Sequence, residues 1–159
     1  MTAGSRSQTD AEDQPLQRFL TYRLSRVQAK LNAQAQALLQ RYAGLTLAKW
    51  RILALVGAAG QTRLSELARV AALDKGLLSR NLKALIQDGL VATKGDDVDL
   101  RVQHLSLTKK GRRLFERTLP KMQQRQRRLN DALEPQEREA LRSALDKLEV
   151  AAGWRGDEK

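Results

Sequence analysis

Side chains that can donate hydrogen bonds to a polyanion are concentrated in one short segment of the chain. Within two helical turns the sequence places three cations and a hydroxyl, at Lys75, Ser79, Arg80 and Lys83. Donors spaced in this way on one helix face can reach the phosphates and base edges of a DNA major groove. The alternative is a solvated helix face, which is the ordinary role of helical charges.

Two neighbouring positions fit the same chemistry. Gly76 leaves the backbone exposed near the start of the predicted helix, where N–H groups and the positive end of the helix dipole favour a phosphate. Leu77 is predicted to point outward between the polar positions, where it can contact a thymine methyl group. Both residues therefore join the candidate DNA-contacting set.

A second candidate contact lies further along the chain, in a polar turn. Asp99 and Arg101 are two residues apart on an extended segment, so both side chains point the same way. Arg101 can enter a minor groove while Asp99 holds its guanidinium in place. The alternative is an exposed salt bridge, which contributes little to stability. Lys94 and His104 flank this turn as candidate phosphate contacts, although a histidine in such a position is more often simply a surface residue.

The elements that position these residues can be predicted from caps and periodicity. The sequence predicts helices capped by Thr46, Ser65 and Asp74, which run to about residue 58, from 66 to 70, and from 75 to about 88. The last of them is predicted to bury four apolar residues: Leu78, Leu82, Leu85 and Ile86. Residues 61–64 are predicted to be a short extended link.

After Gly89 the apolar pattern changes to a period of two, which predicts a hairpin with strands at 90–94 and 102–107. A short helix, a tight turn, a second helix and a hairpin together make a winged helix-turn-helix. Ser65, at the start of the short helix, is included among the candidate DNA contacts.

Long helices flank this unit. The seam of apolar residues between Leu16 and Tyr42 steps by three and four, which predicts a helix over residues 15–44. A helix of about 28 residues would be about 42 Å long, which suggests packing against a second chain. Thr108 is predicted to cap another long helix that Pro120 kinks or splits. Pro135 opens a last amphipathic helix.

Composition limits the classes of function. The chain has 159 residues, a formal charge of +11, one histidine and no cysteine. This excess of cations favours a polyanionic partner. The sequence has no thiolate nucleophile, no multi-histidine metal site and no glycine-rich phosphate loop, so we expect no enzyme, no metal and no cofactor. Without a predicted signal or membrane span we expect a cytoplasmic protein that does not engage a membrane.

Most of the excess charge lies in one predicted helix. Between Lys109 and Arg128 nine basic residues face one acid, Glu116, which gives +8 for the stretch. Such a run is either a DNA track or a solvated or dimer-paired face. Its start, at 109–113, follows the hairpin directly and is predicted to lie near backbone phosphate.

Residues 45–111 resemble the MarR family of transcription regulators. The resemblance is carried by LTLAKWRILALV (45–56), by LSELARVAALDKGLLSRNLKALIQDGLV (64–91) and by DLRVQHLSLTKKG (99–111). It implies a mainly α fold with a small β-hairpin wing, in which each winged helix-turn-helix lobe stands on a helical dimerisation platform. It also implies a homodimer that reads pseudo-palindromic operators in double-stranded DNA and usually represses.

The resemblance fits a division of the chain into five parts: a disordered arm at 1–14, a dimerisation helix at 15–44, the DNA-binding lobe at 45–107, dimerisation helices at 108–152 and a frayed tail at 153–159. The sequence departs from the family pattern in the turn of the wing, which carries three carboxylates. Three negative charges near a minor groove repel phosphate unless they face away or pair with arginine.

Many members of the family release DNA when a small, often phenolic ligand binds between lobe and platform. Tyr22, Arg23, Arg26 and Trp50 could line such a site, with an arginine gripping a carboxylate. The alternative is that Trp50 is a core residue and the arginines are solvated.

The sequence therefore predicts a sequence-specific dimeric DNA-binding regulator, a repressor released by a small aromatic acid. The alternative is a non-specific architectural protein of the nucleoid type, which the high charge alone would also support.

Overall fold

The computed structural model describes residues 15–96 and 102–153. A 3₁₀ turn at Leu16–Arg18 precedes the first long helix. The helices are α1 (Leu20–Ala43), α2 (Leu47–Ala59), α3 (Leu64–Val70), α4 (Lys75–Gln87), α5 (Lys109–Asp131) and α6 (Pro135–Ala151). The strands are β1 (Gln61–Arg63), β2 (Val91–Gly95) and β3 (Gln103–Leu107). The predicted arm at 1–14 and most of the predicted tail lie outside the described residues.

The fold is mainly helical with a small antiparallel sheet, as predicted, but the sheet has three strands in the order β1-β3-β2. The hairpin of β2 and β3 pairs Val91 with Leu107 and Gly95 with Gln103. The segment predicted to be an extended link is β1, whose Gln61 pairs with Ser106. This third strand attaches the start of α3 to the base of the wing, which we define as β2, β3 and the turn between them.

The core lies where α2 crosses α4, α5 and the sheet. Ile52, Leu53 and Val56 of α2 are fully buried beside Leu85 and Leu105. Trp50 stacks on the ring of Phe115, with 6.1 Å between the ring centroids. Because α2 is apolar on several sides, it is buried as the central helix that the surrounding elements share.

Three of the four predicted caps are confirmed. Thr46, Asp74 and Thr108 each accept a hydrogen bond from the backbone N–H three residues later. The cap predicted at Ser65 is wrong, because α3 begins one residue earlier, at Leu64. The first turn of α3 is closed instead by Glu66, whose Oε2 accepts a hydrogen bond from the Arg63 N–H at 3.3 Å.

The junction between α4, β2 and α5 is unusually close. Gly89 ends α4 with a φ of 68°, a conformation that glycine adopts at no steric cost. The Thr108 hydroxyl then donates to the Gly89 carbonyl at 2.6 Å. A Cβ at Gly111 would overlap the carbonyl of Leu90, so only glycine lets α5 pass the backbone immediately before β2. This junction fixes the start of α5 against the end of α4.

The long helices leave much apolar surface uncovered. In α1 only Ala35 and Leu39 are buried, and in α6 no residue is buried. The helix α5 continues through Pro120, so the predicted split does not occur. Ile86 in α4 is also more exposed than predicted, at 36%. None of the helices in the described part of the chain combines the length and apolar character needed to cross a membrane.

The Glu66 carboxylate gives α3 a stability that depends on pH. Hydrogen bonds from the Arg63 N–H and the Thr62 hydroxyl hold the pKa of Glu66 below its ordinary value of 4.5. Because the folded state lowers this pKa, the stabilisation is present above pH 4.5 and is lost as the pH falls through the lowered value. Glu66→Gln should therefore lower the melting temperature at about pH 7 and have less effect at about pH 3.

The exposed carboxylate of Glu116 supplies the control, since Glu116→Gln removes the same charge from the middle of a helix. Thermal unfolding of the two variants and the parent across this pH range measures the effect. A Glu66→Gln deficit that is the same at both ends of the range would contradict this role of the carboxylate.

Candidate nucleic-acid interface

The helix α4 has one buried face and one polar face. Leu78, Leu82 and Leu85 are buried in the core, as predicted. On the opposite side Lys75, Gly76, Ser79, Arg80 and Lys83 are all exposed. The spacing of three and four residues therefore divides the helix into an apolar side that anchors it and a side that offers hydrogen-bond donors.

The first turn of α4 brings Asp74, Gly76 and Arg80 together. Asp74 Oδ1 accepts a hydrogen bond from the Leu77 N–H at 2.8 Å, which fixes the helix start. A Cβ at Gly76 would come within 3.3 Å of both Arg80 Nη1 and Asp74 Oδ1. Glycine thus leaves room for the Arg80 side chain to lie over the helix start. Leu77 is half-buried, and its carbonyl accepts a hydrogen bond from Asn81 Nδ2 at 2.8 Å.

Two clefts beside α4 connect it with α3 and the wing. One, of about 570 Å³, is lined by Lys75, Ser79 and Lys83 on α4 and by Gln103 on β3. The other, of about 620 Å³, is lined by Arg63 and Ser65 near the start of α3 and also by Gln103. Two cations of the polar face, Lys75 and Lys83, therefore border one continuous surface together with Arg63 and Ser65.

A row of polar side chains crosses the three-stranded sheet formed by β1 and the wing. His104 lies opposite Arg63 on β1 and opposite Lys94 on β2. Directly paired residues point to the same face of a sheet, so these three side chains share one face. His104 Nε2 lies 2.8 Å from Asp96 Oδ2, which gives this histidine a structural partner. Asp99 and Arg101 lie outside the described residues, so their predicted role in the wing stays a prediction.

Sequence reasoning missed Arg63 and Gln103. Both enter the surface because β1 pairs with β3, a contact between residues about 40 positions apart in the chain. Only Arg63 could have been identified as a candidate DNA contact from the sequence, because it is a cation near the start of a predicted helix. A glutamine in a strand gives no such signal, because its position depends on the tertiary fold.

The basic stretch at 109–128 lies elsewhere. Lys110 Nζ donates to the Asp88 carbonyl at 2.7 Å, so it lies at the end of α4 opposite Lys75. Two further cations join α5 to neighbouring helices. Arg112 donates to the Gly57 carbonyl of α2 at 3.0 Å, and Arg125 donates to the Leu31 carbonyl of α1 at 2.8 Å. These contacts favour a structural role for at least part of the stretch.

The residues of the predicted ligand site do not converge within one chain. Tyr22, Arg23 and Arg26 lie in the first half of α1, with the Arg26 guanidinium 5.9 Å from the centre of the Tyr22 ring. Trp50 is only 6% exposed and belongs to the core cluster with Leu39. Leu39 lies about 20 Å further along α1 than Arg26, at 1.5 Å per residue.

A metal centre has no support in the residues that the structure describes. None of their acidic or histidine side chains form a group of three or more that could hold a metal ion.

The winged-helix segment matches a known family. Residues 43–101 match the model of the MarR family. A curated relative, the HTH-type transcriptional regulator BilQ of Clostridium symbiosum, is 30% identical over 83 residues. The matched region covers 52% of this chain and 58% of that relative. The sequence similarity to BilQ therefore extends over little more than half of either protein.

Solved structures extend the similarity to most of the chain. A MarR family regulator from Silicibacter pomeroyi is 29% identical, with a TM-score of 0.69 over 92% of this chain and 96% of that one. An E. coli MarR variant complexed with operator DNA is 25% identical, with a TM-score of 0.67 over 85% and 99%. NadR in complex with 4-hydroxyphenylacetate is also 25% identical, with a TM-score of 0.68 over 85% and 95%.

Arg80 provides the most direct test of the surface. Arg80→Ala removes an exposed guanidinium from the middle of the polar face and should weaken duplex DNA binding by about 1–3 kcal/mol per site. Lys30→Ala, which removes an exposed cation from α1, is the control. Fluorescence anisotropy with both variants at one fixed salt concentration measures the difference. Equal affinities for Arg80→Ala and the parent would show that Arg80 does not contact DNA and would contradict this docking of the polar face.

Proposed function

This chain carries the winged helix of the MarR family of transcriptional regulators, and from that premise we propose that it is a sequence-specific, dimeric DNA-binding repressor. The proposal depends chiefly on one observation. The exposed side of α4 presents Lys75, Ser79, Arg80 and Lys83 on a helix whose other side is anchored in the core. A helix held in this way can enter a major groove as a rigid reading element.

The wing and α3 extend this surface. Ser65 and Arg63 border the cleft beside β3, and Lys94 lies in the row of polar side chains across the sheet. These positions suit contacts with phosphates, which set the register of α4 on the duplex without reading sequence. Asp99 and Arg101 would extend the contact into the neighbouring minor groove.

The proposed dimer is supported by uncovered apolar residues at both ends of the chain. Leu16, Leu20 and Val27 near the start are 53–62% exposed, and Leu141 and Leu145 of α6 are 46% and 40% exposed. A second copy related by a two-fold axis would bury such surfaces. It would also place the two α4 helices in successive major grooves, so we expect half-sites spaced by about 10 bp or a multiple.

Repression and release by a ligand complete the proposal. A small aromatic acid is the proposed effector, with Tyr22, Arg23, Arg26 and Trp50 as its candidate residues. The structure of NadR, which holds 4-hydroxyphenylacetate, supports this class of ligand. Since Trp50 is buried in the core, the three residues of α1 are the better candidates for gripping a carboxylate.

Selection of bound fragments from random or genomic DNA tests the central proposal. We expect a pseudo-palindromic site bound about 10³-fold or more tightly than unrelated duplex at the same salt concentration. A ratio near one would instead favour the non-specific architectural alternative.

A variant with two charges in the proposed interface completes this test. The double variant Leu141→Glu with Leu145→Glu should sediment as a monomer, and it should bind the selected site more weakly than the parent. Glu149→Gln, which changes an exposed polar residue of the same helix, is the control. A variant that stays dimeric would place the interface elsewhere.

Release by an effector is measured on the same complex. A panel of aromatic carboxylates is titrated into the protein–operator complex, and at least one should displace the DNA at millimolar or lower concentration. Arg23→Ala and Arg26→Ala should then reduce the response, because each removes a candidate partner of the carboxylate. The absence of release across a broad panel would remove this class of effector.

A further inference from the structure

A cavity lies away from the surface of α4 that faces the wing. It has a volume of about 870 Å³ and is formed where the ends of α1 and α4 meet the first turns of α5. That volume lies within the range of sites that hold small molecules, about 300–1,000 Å³. Among the described residues, neither the candidate DNA contacts of α4 and the wing nor the candidate residues for an aromatic acid line it. Lys109, Lys110 and Arg113 do line it, and they belong to the start of α5 that the sequence predicts to lie near backbone phosphate.

Cations dominate the polar lining of this cavity. Lys109, Lys110, Arg113 and Arg117 all line it. The last three are spaced by three and four residues, which places them along one face of α5. Four cations that converge on one cavity repel one another, so an anion bound between them relieves an unfavourable arrangement of charge.

The single carboxylate in the lining does not neutralise this set. Asp88 Oδ2 is held by Lys49 Nζ at 2.9 Å, a cation outside the lining of the cavity. The backbone carbonyl of Asp88 accepts a hydrogen bond from Lys110 Nζ at 2.7 Å, which directs that ammonium toward the end of α4. Four cations and one carboxylate give the lining a formal net charge of +3, and that carboxylate is already paired with Lys49.

The remainder of the lining is apolar. Leu45 and Leu90 are buried at 3% and 4% exposure, and Ala43 and Leu114 are half-buried beside them. An inorganic anion would leave this wall facing water, whereas an apolar body attached to the anion would cover it. The arginines Arg113 and Arg117 can bind phosphate oxygens through two parallel hydrogen bonds each.

We propose that this cavity binds an organic phosphate monoester with an aromatic or short aliphatic body. The dianionic phosphate lies among Lys109, Lys110, Arg113 and Arg117, and the body of the ligand lies against Leu45, Leu90 and Leu114. A monocarboxylate of the same size would balance a smaller part of the charge. The site is distinct from the aromatic-acid site of the proposed function, and its occupancy can be measured without DNA.

Isothermal titration of the full chain with three matched probes tests the ligand class. The probes are 1-naphthyl phosphate, 1-naphthoate and inorganic phosphate, in a phosphate-free buffer at about pH 7.5, where the ester is mostly dianionic. We expect 1-naphthyl phosphate to bind at least about tenfold more tightly than either of the others. Equal binding of 1-naphthoate would overturn the need for a dianion, and equal binding of inorganic phosphate would overturn the role of the apolar wall.

A pair of double variants tests the location. Arg113→Gln with Arg117→Gln should weaken binding of 1-naphthyl phosphate at least about tenfold. Arg127→Gln with Arg128→Gln removes the same charge from α5 about 15 Å beyond Arg117 and should change it by less than about twofold. Thermal unfolding confirms that both variants are folded. Equal losses in the two variants would mean diffuse attraction by the basic helix and would overturn the site.

Measurements of duplex DNA binding distinguish a small-molecule site from a contact with DNA phosphate. If the cavity residues serve only as contacts for DNA phosphate, Arg113→Gln with Arg117→Gln will weaken duplex binding more than the control pair does while the two pairs bind 1-naphthyl phosphate alike, and the small-molecule site is overturned. If the two pairs bind duplex alike and differ only toward 1-naphthyl phosphate, the proposal stands. This result does not depend on whether the chain proves to be a sequence-specific repressor.

Discussion

The packing of Gly111 against the Leu90 carbonyl is the constraint on which the arrangement of the lobe depends. Because no side chain intervenes, the first turn of α5 lies directly on the residue where α4 passes into the wing. Two hydrogen bonds hold the residues just before Leu90 against α5. Thr108 donates to the Gly89 carbonyl and Lys110 donates to the Asp88 carbonyl. A movement of α5 is therefore transmitted to α4 and to the wing together, because packed interfaces shift as units.

The helix α5 serves different purposes on its different faces. Phe115 and Thr118 point into the core, and the Arg112 guanidinium lies 5.9 Å from the centre of the Phe115 ring while it donates to α2. Further along, the ring of Tyr42 on α1 lies 5.4 Å from the Lys121 ammonium. A charge run that reads as uniform in sequence is thus divided between bracing contacts and the cation-lined cavity.

Most features of the fold that depend on neighbouring residues could be predicted from the sequence, and features that depend on contacts between distant segments could not. Caps at Thr46, Asp74 and Thr108 and the two faces of α4 are local, so residue type and spacing predicted them correctly. The cap at Ser65 and the split at Pro120 are local errors, whereas the third strand and the cavity depend on contacts between distant segments. The three residues of β1 have too short a pattern to identify as a strand, and the cavity joins three elements that periodicity cannot bring together. Trp50 was ambiguous because a large aromatic residue suits a core and a ligand site equally.

Because α6 buries no residue within the chain, whether this helix is ordered depends on the concentration of the protein. A helix without buried residues has little to hold it but its own turns and the hydrogen bonds of Arg138 to the carbonyls of Asn130 and Leu133. Most helical stability in proteins comes from tertiary packing, so a helix that buries no residue is only weakly held. If a second copy covers it, its order obeys mass action, so dilution melts it and exposes it to proteases. Scarce chains would then be cleared faster than abundant ones, which would sharpen the threshold at which the protein accumulates.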